Sequence, residues 1–200
     1  GLGGQMNALT EFSHSLRFIA TATRYPLKMG AIWPSSPELA KAMADQVDPQ
    51  IKGPIIELGS GTGSITHALI GGGIDESRLI LIENHPDFYD DLCARYPKAQ
   101  CFCDDAFALE KIAELNAFPK AAAIVSGLPL RTQGKTQRQN LVRTALQLLM
   151  PDAPFIQFSY GFDPPVDGQG LTTEPTAVKT IWKNIPPARI WVYRDFPHSG

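Results

Sequence analysis

Cysteine is scarce in this chain: three residues in 200, at Cys93, Cys101 and Cys103. No two stand in a C-x-x-C pair and no second cluster completes a zinc set, so the expectation is small buried thiols in a reducing compartment. Long apolar runs are missing as well. None approaches the ~20 residues of a transmembrane helix, and no signal peptide is legible. A cytoplasmic chain is expected. Charge is sparse and nearly balanced, with charged residues at 19% and a formal net charge of −2. A global field that would draw in nucleic acid is therefore excluded. No Gly-Lys-Ser/Thr follows a glycine turn at the spacing a P-loop requires. What remains, 44% hydrophobic, is an ordinary globular composition, long enough to bury roughly 70% of the unfolded chain's surface.

What is present is organised around Ile55-Ile56-Glu57-Leu58-Gly59-Ser60-Gly61-Thr62-Gly63. A short apolar run ends in a carboxylate. Three glycines then alternate with two small hydroxyl residues, and the segment from Ser64 to Ile70 can start a helix. A buried strand, a glycine-rich turn and a helix make a nucleotide-binding element. Glycine is needed where φ is positive or a ligand must come close.

Strand and helix signals alternate around this element. Ser36-Pro37 supplies an N-cap and a proline at the first helical position, and Leu39, Met43 and Val47 share one helical face. Strands are expected over 55–58, 78–83, 99–103, 121–126 and 154–160, and helices over 64–70, 86–95, 106–115 and 136–149. The alternation predicts a doubly wound α/β domain with a parallel sheet covered on both faces. Residues 172–182 and 188–194 read as two further strands, an antiparallel hairpin at one sheet edge.

Residues 1–35 stand apart as a helix and linker, with 36–200 as the main domain. Over 7–23, Leu9, Phe12, Leu16 and Ile19 fall on one helical face. Arg17, Arg24 and Lys28 are opposed by Glu11 alone. Such a helix can lie on an anionic membrane surface, with Trp33 at headgroup level, or it can cap the core.

Ligands of open α/β sheets sit beyond the carboxyl ends of the strands. Glu83 closes the second strand about 20 residues after the turn and can accept from both hydroxyls of a ribose. Asp105 closes the third and can accept from the exocyclic amine of adenine. The NAD fingerprint G-x-G-x-x-G wants glycine or alanine where Ser64 stands. A carboxylate at Glu57 would repel a pyrophosphate and hold a cation. A ligand with adenosine at one end and positive charge at the other fits, and S-adenosylmethionine has both.

The segments Glu57–Gly63, Ile82-Glu83 and Asp105-Ala106-Phe107 resemble those of class I S-adenosylmethionine-dependent methyltransferases. More narrowly, Pro26–Pro37, Leu39–Ala44, Gln157–Gly161 and Asn184–Tyr193 are similar to the bacterial phospholipid N-methyltransferases. The resemblance implies a Rossmann-like fold with a seven-stranded, mostly parallel sheet, one antiparallel edge strand and an N-terminal amphipathic helix. It implies S-adenosylmethionine as cofactor and methylation of the phosphatidylethanolamine amine, in up to three steps, towards phosphatidylcholine. It also implies peripheral attachment to the inner face of the cell membrane through that helix. A monomer in solution and no nucleic-acid partner are expected. Glu57, Gly59, Gly61 and Glu83 fall on the family's cofactor positions, and further cofactor contacts are expected at Ser60, Thr62, Gly63, Asn84, Asp105, Ala106 and Ser126. Ribosomal RNA adenine dimethyltransferases share the cofactor motifs. They need a side-chain amide and an aromatic ring after the fourth strand to hold the target base. Gly127-Leu128-Pro129-Leu130 offers neither.

An ammonium has no lone pair, so the acceptor amine must lose a proton before it is methylated. Alignment in a dry pocket supplies much of the rate without a dedicated base. Ser126 is expected to orient the amine. Tyr160, and with it Tyr25, is expected to offer a hydroxyl or a ring face to the methylated nitrogen. Arg131, Lys135, Arg138 and Arg143, with no acid between 131 and 143, read as a headgroup-phosphate or membrane patch joined by Lys28, or as a solvated face. No metal-ligand set is legible.

Overall fold

The computed structural model describes residues 36–184 and 187–195. The expected helix over 7–23, its linker, Tyr25, Lys28 and Trp33 lie outside the described residues, as do Ile185 and Pro186.

Helix α1 (Pro37–Ala44) starts as its sequence dictates. Ser36 Oγ accepts from the Leu39 N–H at 3.2 Å, and Pro37 fills the first turn, where no N–H is missed. Five parallel strands follow: β1 (Ile55–Leu58), β2 (Leu79–Ile82), β3 (Gln100–Phe102), β4 (Ala123–Ser126) and β5 (Phe155–Tyr160). Between them run α2 (Ser64–Gly71), α3 (Pro86–Arg95), α4 (Leu109–Leu115) and α5 (Lys135–Leu148).

Strands β1, β2 and β4 are buried on both faces, which is why each reads as an unbroken apolar run. Successive residues feed opposite cores. Ile55 packs with Leu39, Met43, Leu69 and Leu92 beneath α1, α2 and α3, whereas Ile56 packs with Leu109, Ile112, Leu141 and Val142 beneath α4 and α5. Each such side chain contributes roughly 1.5–3 kcal/mol on burial, so it is two-sided burial that fixes the sheet between its helices.

The last two strands, β6 (Thr176–Ile181) and β7 (Ala188–Tyr193), form the expected edge hairpin. Strand β7 inserts between β5 and β6 and is antiparallel to both, giving the order β3-β2-β1-β4-β5-β7-β6. Outermost β6 therefore runs in the same direction as β5. The turn leaving β6 lies on the same rim as the carboxyl ends of β1–β5. The order reverses between β1 and β4, the switch point beside which open α/β sheets bind their ligands.

The thiols depart from expectation. Strand β3 stops at Phe102, so Cys101 and Cys103 do not share a strand face. Cys103 is exposed, Cys93 and Cys101 are half-buried, and all three are free.

Candidate functional site

Strand β1 delivers the glycine turn to this switch point. Its three glycines are left-handed, with φ of +69° at Gly59, +52° at Gly61 and +84° at Gly63. Gly59 is needed twice over, because a Cβ there would stand 2.6 Å from Leu128 Cδ2. The turn after β4 closes against it, the Gly127 N–H donating to Leu58 O at 2.8 Å. A Cβ on Gly61 would meet nothing nearer than 3.9 Å, so the outer side of the turn is open.

Two side chains pin this turn. Glu83 Oε2 accepts from the Gly61 N–H at 2.7 Å, and Oε1 accepts from the His85 N–H at 2.9 Å. Each oxygen retains a lone pair for a ribose hydroxyl. From the last turn of α3, Arg95 donates to Thr62 O and pairs with Asp91 at 3.1 Å. Sequence reasoning missed Arg95, since a basic residue ending a helix carries no mark of the loop it will reach. It also missed His85, which caps α3 by accepting from the Asp87 N–H at Nδ1 (3.2 Å).

Glu57 is fully buried beneath the turn. Thr66 Oγ1 donates to its Oε2 at 2.6 Å, while Oε1 has no hydrogen-bond partner. The neighbouring Ser60 hydroxyl, also buried, faces this carboxyl short of a full hydrogen bond. Burial pushes the carboxyl up to about 8. The facing hydroxyls of Thr66 and Ser60 pull the other way, and the charge of Glu83 adds to the rise. The carboxylate expected here is thus mostly protonated at neutral pH until a cation arrives. Both groups sit at the base of a glycine turn whose outer side is open at Gly61.

At the neighbouring strand ends, Asp105 Oδ1 accepts from the Phe107 N–H at 3.0 Å, capping the short turn before α4, and Oδ2 remains for an exocyclic amine. Asn84 is exposed at the rim and Ala106 is buried behind it.

Some expected residues do different work. Ser126 is fully buried and its hydroxyl accepts from the Leu128 N–H at 3.3 Å. It shapes the turn after β4. Gln157, also buried, donates from Nε2 to Leu128 O at 2.8 Å and ties β5 to that turn. A polar residue inside an otherwise apolar strand was the available signal. Tyr160 does stand at the rim, 36% exposed, its ring edge-on to Phe158 at 5.5 Å. Burial raises its phenol, against a hydrogen bond with Asn184.

Three cations of the basic run make hydrogen bonds to the segment after β5. Arg131 donates to the carbonyls of Asp163 (3.1 Å) and Pro164 (3.4 Å), Lys135 to Gln169 Oε1 (3.3 Å), and Arg143 to Gly170 O (3.1 Å). These cations strap the segment after β5 onto α5. Their partners lie some thirty residues away and could not be read from the run itself.

Topology and site together define a class: the chain has the Rossmann-like methyltransferase fold. Among solved structures, the N-methyltransferase NodS from Bradyrhizobium japonicum superposes with a TM-score of 0.63 at 14% identity, covering 82% of this chain and 97% of that one. The Burkholderia thailandensis 1,6-didemethyltoxoflavin-N1-methyltransferase does so with a TM-score of 0.64 at 12% identity, covering 94% and 90%. An ornithine lipid N-methyltransferase from Singulisphaera acidiphila is 28% identical over 145 residues, which are 71% of this chain and 76% of that protein. No protein-family model matches.

Proposed function

We propose that this protein is an S-adenosylmethionine-dependent N-methyltransferase whose acceptor is the amine of a membrane lipid headgroup. The favoured acceptors are phosphatidylethanolamine and its mono- and dimethylated forms, on the way to phosphatidylcholine. The observation that carries the reading is Glu57, a buried carboxyl with one oxygen unpartnered, beneath a glycine turn whose outer side is open and whose far edge is held by Glu83. The likeness to a protein named for N-methylating ornithine lipid supports a lipid amine as acceptor.

When bound, the cofactor supplies an electrophilic methyl group. Glu83 would accept from the ribose hydroxyls, and Asp105 from the adenine amine. Glu57 and Ser60 would hold the cationic end, with Glu57 releasing its proton to water. Gly127 and Leu128, held by Ser126 and Gln157, form the wall that aligns the acceptor. Tyr160 presents its ring to the nitrogen, an attraction that persists as methylation leaves the nitrogen permanently charged. Its raised phenol stays protonated near neutral pH, so Tyr160 is not the base. The same reading attaches the chain to the inner face of the cell membrane through the amphipathic segment 7–23.

The test offers methyl-labelled cofactor and purified protein to vesicles of phosphatidylethanolamine, vesicles of ornithine lipid, and ribosomal RNA in parallel. Label in the lipid extract is expected, with Glu83→Ala reducing it through a cofactor affinity weakened about tenfold or more. Label in RNA alone would overturn the reading.

A further inference from the structure

Two large aromatic side chains stand in water on the ligand rim. Phe162 is 57% exposed and Trp182 is 67% exposed, and their ring centroids are 6.1 Å apart. A scattered surface aromatic needs no account, but a contiguous exposed pair marks a contact surface. Phe162 follows the carboxyl end of β5 and Trp182 the carboxyl end of β6. Tyr160 and Ile181 both pair with Ala188, which brings the two ends together beside β7.

The pair is firmly mounted. Trp191 Nε1–H donates to Ser159 Oγ (2.9 Å), and Ser159 Oγ–H donates to Asp163 O (3.0 Å), fixing the segment that carries Phe162. The Gly161 N–H donates to Pro187 O at 3.3 Å, joining that segment to the β6–β7 turn. The Arg189 guanidinium lies 4.8 Å from the Phe162 ring centroid and donates to Phe162 O at 3.3 Å. Lys183 beside Trp182 is exposed. From 176 to 189 the chain carries Lys179, Lys183 and Arg189 and no acid, although its net charge is −2. Asp163 is the one acid within three positions of either ring along the sequence.

We propose that Phe162 and Trp182, flanked by Arg189 and Lys183, form a bilayer contact that seats the ligand rim in the headgroup layer of a membrane containing anionic lipid. Trp and Phe beside cations match that layer, where the rings enter the acyl boundary and the ammonium and guanidinium groups meet lipid phosphates. The contact lies on the rim where a methyl acceptor must enter, so a headgroup reaches the site without leaving the interface. The inference rests on the lipid reading of the acceptor and adds a docking surface independent of residues 7–23.

The experiment compares the full chain with its Phe162→Ser/Trp182→Ser variant. It measures partition onto vesicles of phosphatidylethanolamine and phosphatidylglycerol, cofactor affinity by calorimetry, and methylation of a short-chain phosphatidylethanolamine kept monomeric in water. Expected are at least a tenfold loss of partition, unchanged cofactor affinity and retained turnover of the monomeric lipid. Unchanged partition overturns the proposal. So does a change in self-association with vesicle binding intact, which would assign the pair to a contact between copies. If partition depends on the pair while the wild type methylates no lipid in any form, the docking surface stands and the acceptor reading falls. Vesicles with brominated lipid supply a check that does not depend on the double variant folding: quenching should fall in Trp182→Phe, and equal quenching in both proteins overturns the proposal.

Discussion

Glu57 carries most of the chemistry that a single residue can reveal. Its pKa rises from 4.5 in an open chain to about 8 in the fold. Between those values the folded state keeps a proton that the unfolded state releases. Stability from this group therefore falls as pH rises from about 4.5 to 8, and the loss is complete above 8. A glutamine at this position has no such dependence. Urea unfolding should show Glu57→Gln gaining stability relative to wild type at pH 8 compared with pH 5; a difference independent of pH would mean the carboxyl is ionised throughout. The same proton appears in binding. A cationic ligand makes the carboxylate form, so titration with S-adenosylmethionine at pH 7 should release nearly one proton. The measured enthalpy should then differ between phosphate and Tris buffers, and an enthalpy insensitive to buffer contradicts the assignment.

At the scale of elements, the glycine turn is held by neighbours on both sides, β2 through Glu83 and α3 through Arg95. Arg95→Met keeps the packed stem and removes the donor to Thr62 O. It should cost about 1–2 kcal/mol, by urea unfolding, and weaken cofactor binding in titration. Lost stability with intact binding would make Arg95 a prop for α3 alone. Most elements were legible because local rules settle them. Buried parallel strands read as apolar runs closing on Glu57 or Glu83, and Ser36-Pro37 announced α1. What stayed hidden depends on distant partners. Nothing around Arg95 names Thr62, 33 positions away, and nothing around Gln157 names Leu128, 29 positions away. The partners of Arg131, Lys135 and Arg143 were hidden because they belong to the segment after β5. The hairpin was visible in its two strand signals, but the insertion of β7 between β5 and β6 is a choice of sheet edge, and strand composition does not encode it.

On the scale of the whole molecule, one rim gathers everything the proposed reaction needs. The switch point between β1 and β4 sets the glycine turn, Glu83 and Asp105 on one side. Strands β5, β7 and β6 place Tyr160, Phe162 and Trp182 on the other. A cofactor would enter beside acids, and an acceptor would enter past aromatics and cations. A net charge of −2 conceals this division, since the basic residues of 176–189 lie apart from the acids at the strand ends. The arrangement suits an amine presented at an interface and methylated on its nitrogen. Tandem mass spectrometry of the lipid recovered after incubation with methyl-deuterated S-adenosylmethionine tests that claim most directly. The account predicts deuterium in the nitrogen-containing headgroup fragment of phosphatidylethanolamine, with up to three labelled methyl groups. Deuterium confined to acyl-chain fragments, or absent from lipid altogether, would contradict it.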